Sequence, residues 1–367
     1  MNWYQLNNEA GIPSPGLLLF EDRIEANLRK MIEIAGGPAR LRPHVKTHKI
    51  GPLVARQLSL GITKYKCATI AEAEMCGFAG VPDTLLAVAA VGPTVARLCA
   101  LAGRFSKTRF STLADDEEAI GILGAAAVSE RLTIDVFLDI DCGMHRTGVL
   151  PNRRAIELYR QISITPGLRA AGLHAYDGHI HDTDPATRRA HCDTDFGPVV
   201  ALRRDLEAEG LPVPTLVAGG SPTFAFHAEH DDREVSPGTT VLWDFGYADK
   251  MPDLPFLPAA VLLTRVISKP GGNRLCLDLG HKAVASENPQ PRVRLLELPD
   301  AIAVMHSEEH LVIETPRAIE FPVGSILHAI PRHVCPTVAL YNEATVVHGN
   351  TAADRWPITA RGRRLTI

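Results

Sequence analysis

A basic segment near the start of the chain, RPHVKTHK, contains the residue types that a catalytic amine and its surroundings require. Lys46 is flanked by His44 and His48, and Lys49 follows. A lysine at a strand end, partly desolvated and beside cationic neighbours, has a lowered pKa and can form a Schiff base as the free amine. Composition alone favours a solvated loop lysine. The expected position at a strand end favours a reactive amine, and we therefore predict that Lys46 has this role.

Two glycine-bearing turns have the composition of a phosphate site. AGGSPT covers residues 218–223, and SPGT covers residues 236–239. Where no side chain intervenes, backbone N–H groups can approach an anion closely. Ordinary turns have the same composition, but a position after the last barrel strands favours phosphate binding. The sequence contains neither GxGxxG nor GxxxxGK[ST], so neither a dinucleotide-binding fold nor a P-loop is indicated.

A His-x-Cys pair lies late in the chain, in PRHVCPT. On an extended segment, the side chains of His333 and Cys335 would point to the same side and could bind one metal ion. Two ligands do not make a structural zinc site, which has four. A catalytic metal with open positions for water and substrate fits better. A surface histidine beside a buried cysteine remains the alternative.

These residues need a scaffold that brings strand ends together. Short apolar runs alternate with amphipathic segments, and the predicted strands are GLLLF, ARLRPHV, TKYKCAT, DTLLAVA, TRFSTLA, LTIDVFLDI, LRAAGLHAY and PTLVAGG. About eight βα units predict an α/β fold in which a parallel sheet closes into a (β/α)8, TIM-like barrel over residues 14–250. Functional residues of such barrels lie at the C-terminal ends of strands, where DIDCGMHRTG and HAYDGHIHD are found.

The pattern changes in the last third of the chain. AAVLLTRVISK and NRLCLDLG, separated by two glycines, predict a hairpin, and VRLLELP, IAVMHSEEHLVIET, SILHAIP, TVALYN and ATVVHG continue as β-rich runs. We predict a C-terminal β-domain over residues 251–367, joined by residues 1–13.

Composition excludes several classes of protein. The formal charge is −4, which argues against a general affinity for nucleic acid. The most apolar window is interrupted by Pro93 and Arg97, so no membrane span is expected. The N-terminus lacks the pattern of a signal peptide, and the seven cysteines are scattered without a CxxC. These features favour a cytoplasmic protein without disulfide bonds.

Several motifs together resemble one known family. RPHVKTHK resembles the cofactor-lysine signature of the D-threonine aldolase and D-serine dehydratase family, which has the alanine-racemase-like fold (fold type III) of pyridoxal-phosphate (PLP) enzymes. The resemblance continues through DIDCGMHRTG, HAYDGH, GGSPT, SPGT and HVCPT, and so spans nearly the whole chain. Eight consecutive matching residues around the lysine, with a distant His-x-Cys pair, make it specific.

The resemblance implies a PLP barrel, a C-terminal β-domain and a homodimer acting on a small D-amino acid. It implies that Lys46 forms a Schiff base with PLP, that Arg146 approaches the phenolic oxygen of PLP and that Tyr176 lies near its ring. The residues implied to hold the phosphate are Gly220, Ser221, Gly238 and Thr239.

The resemblance also implies a metal and a base. His333 and Cys335 would bind a divalent metal near the β-hydroxyl of the substrate, and the metal would be Mn²⁺, Mg²⁺ or Zn²⁺. His179 is the candidate base for that hydroxyl, because it follows the tyrosine beside the ring.

Two reactions of a D-β-hydroxy amino acid compete, since PLP is an electron sink and the protein selects which bond at Cα breaks. His179 favours cleavage of Cα–Cβ, as in D-threonine aldolase, giving glycine and acetaldehyde. Cys335 favours the alternative, because a thiolate suits zinc and the dehydratase branch of the family pairs His with Cys. That alternative is a D-serine or D-3-hydroxyaspartate dehydratase, which releases a keto acid and ammonia. Racemisation and a non-catalytic PLP-binding protein are further alternatives, and the β-domain argues against the last.

Overall fold

The computed structural model describes residues 2–367, which form two compact units. We call them the barrel unit and the β unit. The barrel unit consists of Met31–Lys46, Gly51–Gly238 and Gly362–Ile367. The β unit consists of residues 2–30, Thr47–Ile50 and Thr239–Arg361. The chain therefore passes between the units at residues 30/31, 46/47, 50/51, 238/239 and 361/362. The domain boundaries expected from sequence lie before residues 14 and 251.

Residues 2–367 form sixteen strands. In chain order they are β1 (Gly16–Phe20), β2 (Lys64–Cys67), β3 (Asp83–Ala89), β4 (Arg109–Ala114), β5 (Ile134–Ile140), β6 (Leu168–Ala175), β7 (Thr215–Ala218), β8 (Glu234–Val235), β9 (Ala260–Ser268), β10 (Arg274–Leu277), β11 (Val293–Leu295), β12 (Ile302–His306), β13 (Leu311–Glu314), β14 (Ile326–Pro331), β15 (Glu343–His348) and β16 (Thr351–Pro357).

The same described part of the chain forms ten α-helices. They are α1 (Glu21–Ile34), α2 (Gly51–Ser59), α3 (Ile70–Phe78), α4 (Pro93–Arg104), α5 (Glu117–Ser129), α6 (Arg153–Ile164), α7 (Pro185–Ala208), α8 (Phe224–Ala228), α9 (Phe245–Lys250) and α10 (Val334–Val338). Side-chain oxygens that accept hydrogen bonds from first-turn N–H groups fix the starts of four barrel helices. These caps are Thr69, Asp116, Asn152 and Asp184.

The barrel unit contains one parallel sheet of seven strands, in the order β2-β3-β4-β5-β6-β7-β8. Leu41 forms an isolated parallel bridge to Val235 on one edge strand, and His44 forms another to Lys66 on the other edge strand. The segment ARLRPHV was predicted to be a full strand. It makes only these two bridges, but it takes the eighth place and links both edges, so the TIM-like barrel predicted from sequence is confirmed.

An ion-pair network stabilises the bridging segment in the eighth strand position of the barrel. Arg42 is 2% exposed; its Nη1 lies 2.5 Å from Asp83 Oδ1 and its Nε lies 2.7 Å from Glu234 Oε2. The arginine therefore ties the bridging segment to β3 and to β8. Removing one member of a buried, hydrogen-bonded ion pair leaves uncompensated charge, which typically costs about 3–5 kcal/mol.

Replacing Arg42 with methionine is therefore expected to lower the free energy of unfolding by about 3 kcal/mol. The measurement is urea denaturation followed by circular dichroism. The exposed Arg204→Met variant is the control and should change stability by less than about 0.5 kcal/mol. Equal stability of the two variants would contradict a role for Arg42 in closing the ring of strands.

The β unit contains a nine-stranded sheet in which β1 is an interior strand. β1 pairs antiparallel with β9 on one side and parallel with β15 on the other. We predicted GLLLF as a barrel strand; it is a strand, but its pairing places it in this sheet. Leu18 and Phe20 of β1 pack in one cluster with Tyr4, Leu6 and Ile12. Residues before β1 thus share the core of the β unit.

The later strands agree with the sequence pattern except at one place. β9 and β10 form the predicted antiparallel hairpin, and β12 pairs with β13. The run TVALYN was predicted to be β-rich, but it begins in the short helix α10 and continues as a turn. Apolar residues at the end of a helix and in a buried strand look alike over such a short window.

No helix within residues 2–367 combines the length and the apolar character that a membrane-spanning helix needs.

Candidate functional site

Lys46 lies in a one-turn 3₁₀ helix, Val45–Thr47, directly after the bridging segment and not at the end of a regular strand as predicted. Its backbone N–H donates to Nδ1 of His44 over 3.3 Å. The prediction of a cationic His48 is wrong. Burial, and secondarily the charge of Lys49, lowers the pKa of His48 to about 3, so this imidazole is neutral.

Three basic side chains of the barrel unit lie near the ring of Tyr176, which follows strand β6. Lys46 Nζ lies 5.5 Å from the ring centroid, and Lys66 Nζ lies 5.4 Å from it. The guanidinium carbon of Arg146 lies 5.2 Å from the same centroid. The structure therefore brings together Lys46, Tyr176 and Arg146, which come from distant motifs, and adds Lys66. Such a concentration of positive charge suits an anionic ligand.

Two glycines allow the Tyr176 ring to lie against backbone. A Cβ at Gly178 would come within 2.2 Å of the ring, and one at Gly220 would come within 2.9 Å. The predicted phosphate turns also meet, because Gly238 N donates to Ser221 Oγ over 3.2 Å. Gly220, Ser221 and Gly238 are buried in the barrel unit, and Thr239 is the next residue of the chain and belongs to the β unit.

Arg146 is carried by a loop that Asp141 shapes. Asp141 Oδ1 accepts hydrogen bonds from the N–H groups of Gly143 and His145, and Oδ2 lies 2.9 Å from His145 Nδ1. Burial opposes ionisation of Asp141, but these hydrogen bonds outweigh it and lower its pKa. The motif DIDCGMHRTG thus forms a loop held by one carboxylate.

A buried chain of polar groups lies inside the barrel. Lys66 Nζ is 3.5 Å from His174 Nε2, and His174 Nδ1 is 2.7 Å from Asp139 Oδ1. Sequence analysis did not select Lys66 or His174. The alternation in β2 gives Lys64 and Lys66 the same face, but a strand of four residues does not reveal which face points into the barrel. The sequence therefore does not distinguish Lys66 from an ordinary strand residue.

His179 pairs with helix α7. Its Nε2 lies 2.7 Å from Asp195 Oδ2, and the same oxygen lies 3.3 Å from His191 Nε2. A hydrogen bond with Asp182 raises the pKa of His191. His179 Nδ1 is buried and has no hydrogen-bond partner among residues 2–367. With Nε2 bound to a carboxylate, Nδ1 is the nitrogen that can accept a proton.

A second buried network fixes the loop that carries Tyr176. Asp177 Oδ2 lies 2.8 Å from His227 Nε2, and Asp177 Oδ1 accepts from Thr223 Oγ1 over 2.8 Å. Thr223 Oγ1 also accepts from Gly220 N over 3.3 Å. The tyrosine loop and the glycine turn are therefore held by one carboxylate.

In the β unit, His333 is the N-terminal cap residue of helix α10, and Cys335 lies in its first turn. The expectation of an extended segment is wrong, yet the two side chains form a hydrogen bond. His333 Nδ1 lies 2.6 Å from Glu287 Oε1. Because Nδ1 is engaged, Nε2 is the ring nitrogen available to a metal. Glu287 was not selected from the sequence, where it lies in a polar loop without a motif.

The environment of Cys335 favours a thiolate. Its Sγ lies 3.3 Å from Thr47 Oγ1 and 3.5 Å from Thr239 Oγ1. Burial raises the pKa of the thiol, but hydrogen bonds with His333, Thr47 and Thr239 outweigh this effect and lower it. For His333, burial lowers the pKa, and contacts with Cys335 and Glu287 raise it to about 9. A divalent metal would displace the proton of His333, and a thiolate beside the resulting neutral imidazole is a donor set that suits such a metal.

Two further groups in the described part of the chain bring three potential metal ligands close together. They are Asp177 with Cys192 and His227, and His179 with His191 and Asp195. The first is fully buried, and its atoms already bond to one another.

Comparison with known proteins agrees with these motifs. The family model "Alanine racemase, N-terminal domain" matches residues 21–244, and the model "Putative serine dehydratase domain" matches residues 259–347. Together they cover both halves of the chain. The racemase model alone covers more than half of it.

Full-length relatives are named lyases. D-threonine aldolase of an Arthrobacter species is 30% identical over 96% of this chain and 94% of its own. The 3-hydroxy-D-aspartate aldolase of Paracoccus denitrificans strain Pd 1222 is 28% identical over 97% of this chain and 94% of its own. The crystal structure of D-threonine aldolase from Filomicrobium marinum superposes with a TM-score of 0.90 at 30% identity, covering 97% of this chain and 98% of that one.

Sequence, fold and relatives thus agree over nearly the whole length of the chain. The protein has the alanine-racemase-like fold, with an N-terminal parallel TIM-like barrel and a C-terminal β-rich part. It belongs to the D-threonine aldolase and D-serine dehydratase family of PLP-dependent lyases.

Proposed function

We propose that this protein cleaves D-threonine to glycine and acetaldehyde, as a PLP- and metal-dependent aldolase for D-β-hydroxy amino acids. The observation that carries the choice of reaction is His179, whose buried Nδ1 has no partner within residues 2–367 while Nε2 is bound to Asp195. An aldol cleavage starts with loss of the β-hydroxyl proton, and a nitrogen in this state can accept it.

The barrel unit has residues that fit PLP. Lys46 supplies the amine for the cofactor aldehyde, and Arg146 supplies positive charge on the same tyrosine ring. The phosphate would be held by Gly220, Ser221, Gly238 and Thr239. When bound, PLP stabilises the negative charge that bond cleavage leaves at Cα. The close approach of Gly220 to Tyr176 leaves no room for a side chain there, which supports a role for its bare backbone.

Asp195 orients His179 in this proposal. Exchanging the carboxylate for an amide in Asp195→Asn allows the amide N–H groups to donate to Nε2, which moves the imidazole proton to Nδ1. We expect kcat for D-threonine to fall by about a hundredfold, because the imidazole loses the required tautomer. The measurement is the steady-state rate of acetaldehyde formation across pH.

The exposed Asp193→Asn variant in the same helix is the control and should keep the wild-type rate. A normal kcat in Asp195→Asn, with PLP fully bound, would show that His179 is not the base.

His333 and Cys335 would hold the divalent metal, whose charge would stabilise an oxyanion on the substrate. Glu287 holds His333 by its other nitrogen, and Thr47 holds the Cys335 sulfur. Outer groups of this kind orient metal ligands. The arrangement supports a metal but leaves Mn²⁺, Mg²⁺ and Zn²⁺ as candidates.

One observation favours a second candidate function, dehydration of D-serine or D-3-hydroxyaspartate. Cys335 has an environment that favours the thiolate, a soft ligand that suits zinc. The family model that matches residues 259–347, which include Cys335, is a serine dehydratase domain. With such a site, the metal would stabilise departing hydroxide.

Incubating the PLP-loaded protein separately with D-threonine and D-serine distinguishes the aldolase from the dehydratase. Glycine and acetaldehyde from D-threonine support the aldolase. Pyruvate or 2-oxobutanoate with ammonia would instead establish the dehydratase. L-Threonine is the matched control and should remain unchanged in either case.

We also propose a cytoplasmic homodimer. No disulfide joins the cysteines of residues 2–367, in keeping with a reducing compartment. The terminal strand β12 of the β-unit sheet exposes Ile302 and Met305 by more than half of their surface, as strands at subunit contacts do.

A further inference from the structure

Two histidines and an aspartate of the barrel unit bring three metal-ligand atoms to one place. His191 and Asp195 are four residues apart on helix α7 and so lie on one face, and His179 comes from the loop after strand β6. Asp195 Oδ2 lies 2.7 Å from His179 Nε2 and 3.3 Å from His191 Nε2. One ligand atom from each residue lies within 4.8 Å of the others. Ligands on a tetrahedral Zn²⁺ are roughly 3.4 Å apart, so small side-chain movements would bring all three onto one ion.

His191 has the outer partner that a metal-bound histidine usually has. Its Nδ1 lies 2.9 Å from Asp182 Oδ2. Carboxylates orient ligating histidines in this way, by accepting the N–H of the ring nitrogen that does not bind the metal. With Nδ1 engaged, Nε2 is the nitrogen that is available to a metal, and Nε2 is the atom that lies near Asp195.

The group of three has both an entry path and room for a further ligand. The side chains are 21% exposed for His179, 25% for Asp195 and 41% for His191, so an ion can enter from solvent. Gly143 lies against the first two of these residues. A Cβ there would come within 2.8 Å of His179 Nε2 and 2.9 Å of Asp195 Oδ2. The space that this Cβ would fill can hold a water molecule as a further ligand, as an open metal site requires.

We propose that His179, His191 and Asp195 form a second metal site, for Zn²⁺ or a similar late first-row divalent ion, whose occupation switches the lyase off. Two imidazoles and one carboxylate are a donor set for such an ion. The ion must replace the hydrogen bond between Asp195 and His179, so the site fills only when metal is in excess. Any proton on His191 Nε2 leaves to solvent as the metal binds.

The inhibition follows from the proton on His179. Binding of the metal at Nε2 moves the ring proton to Nδ1, which then has no lone pair to accept a proton from substrate. This part of the inference rests on the proposed function, in which His179 Nδ1 is the base. The metal site itself does not depend on that function.

The test titrates the PLP-loaded protein with Zn²⁺ in a calorimeter. The wild type should bind two equivalents, and the double variant His333→Ala/Cys335→Ala should still bind one, because only the ligands proposed in the β unit are removed. Adding His191→Gln to the double variant should weaken the remaining site by more than about a hundredfold, and adding Asp182→Asn should weaken it about 10–100-fold. His181→Gln, at an exposed histidine of the same loop, is the control and should leave the remaining site unchanged.

A second measurement follows acetaldehyde release from D-threonine as Zn²⁺ is raised above one equivalent. Wild-type turnover should fall as the second equivalent binds. His191→Gln, compared with its own rate before the excess is added, should need about a hundredfold more Zn²⁺ for the same inhibition.

Two results would overturn the metal site while leaving the aldolase proposal intact. They are the absence of a bound equivalent in the double variant and an unchanged affinity after His191→Gln is added. Two bound equivalents without inhibition would overturn the switch. If D-threonine is not cleaved at all, the proposed function fails, and the calorimetric titration still decides whether His179, His191 and Asp195 bind a metal.

Discussion

Replacing Lys46 with alanine is expected to abolish covalent capture of PLP and to reduce lyase turnover by more than about a thousandfold. The amine of Lys46 lies on the Tyr176 ring together with Arg146, and no other amine of the RPHVKTHK segment belongs to the barrel unit. The measurement is absorbance near ~420 nm, combined with mass analysis after borohydride reduction.

Lys49→Ala is the matched control for this experiment. It removes the other lysine of the segment, which lies in the β unit, and should leave both the absorbance band and turnover in place. A band of wild-type intensity in Lys46→Ala, with the cofactor trapped elsewhere, would show that the wrong lysine was assigned.

The second large effect concerns the metal. His333→Ala and Cys335→Ala are each expected to weaken binding of a divalent metal by more than about a hundredfold, because each removes one of two proposed ligands. Calorimetric titration with Mn²⁺ and Zn²⁺ checks this directly, without relying on turnover. EDTA should remove activity from the wild type, while PLP absorbance remains.

Glu287→Gln tests whether Glu287 contributes to metal binding by His333 and Cys335. The carboxylate lies 2.6 Å from His333 Nδ1, and loss of such a partner typically weakens a metal about 10–100-fold. Glu320→Gln, at an exposed residue of the same unit, should bind metal as the wild type does. Wild-type metal affinity in both alanine variants would remove the His-x-Cys pair from the mechanism.

Much of the barrel was predictable, because a parallel sheet buried on both faces leaves runs of apolar residues at regular intervals. Which segments form the strands of the barrel was less predictable. GLLLF has the composition of a buried strand in either sheet, and only its partners, more than 200 residues away, determine that it belongs to the β unit. The bridging segment around Arg42 was predicted to be a strand. It takes the place of a strand in the barrel, although it makes only two bridges.

The candidate site was predictable where a motif carries the residue. Lys46, Tyr176 and Arg146 do come together, as the motifs indicated. Lys66 and Glu287 were missed for a physical reason. Their roles follow from which atoms lie near them in space, and a lysine in a short strand or a glutamate in a polar loop has the same sequence signature in an ordinary position.

The interior place of β1 has a consequence for how the protein is made. The strand emerges from the ribosome early, but its partners β9 and β15 are synthesised only after the whole barrel sequence. Until then, Leu17, Leu18 and Leu19 have no strand partner on either side, so an apolar stretch stays exposed during synthesis. A fragment that begins at residue 251 would lack the strand that joins β9 to β15, so its sheet would be divided into two parts.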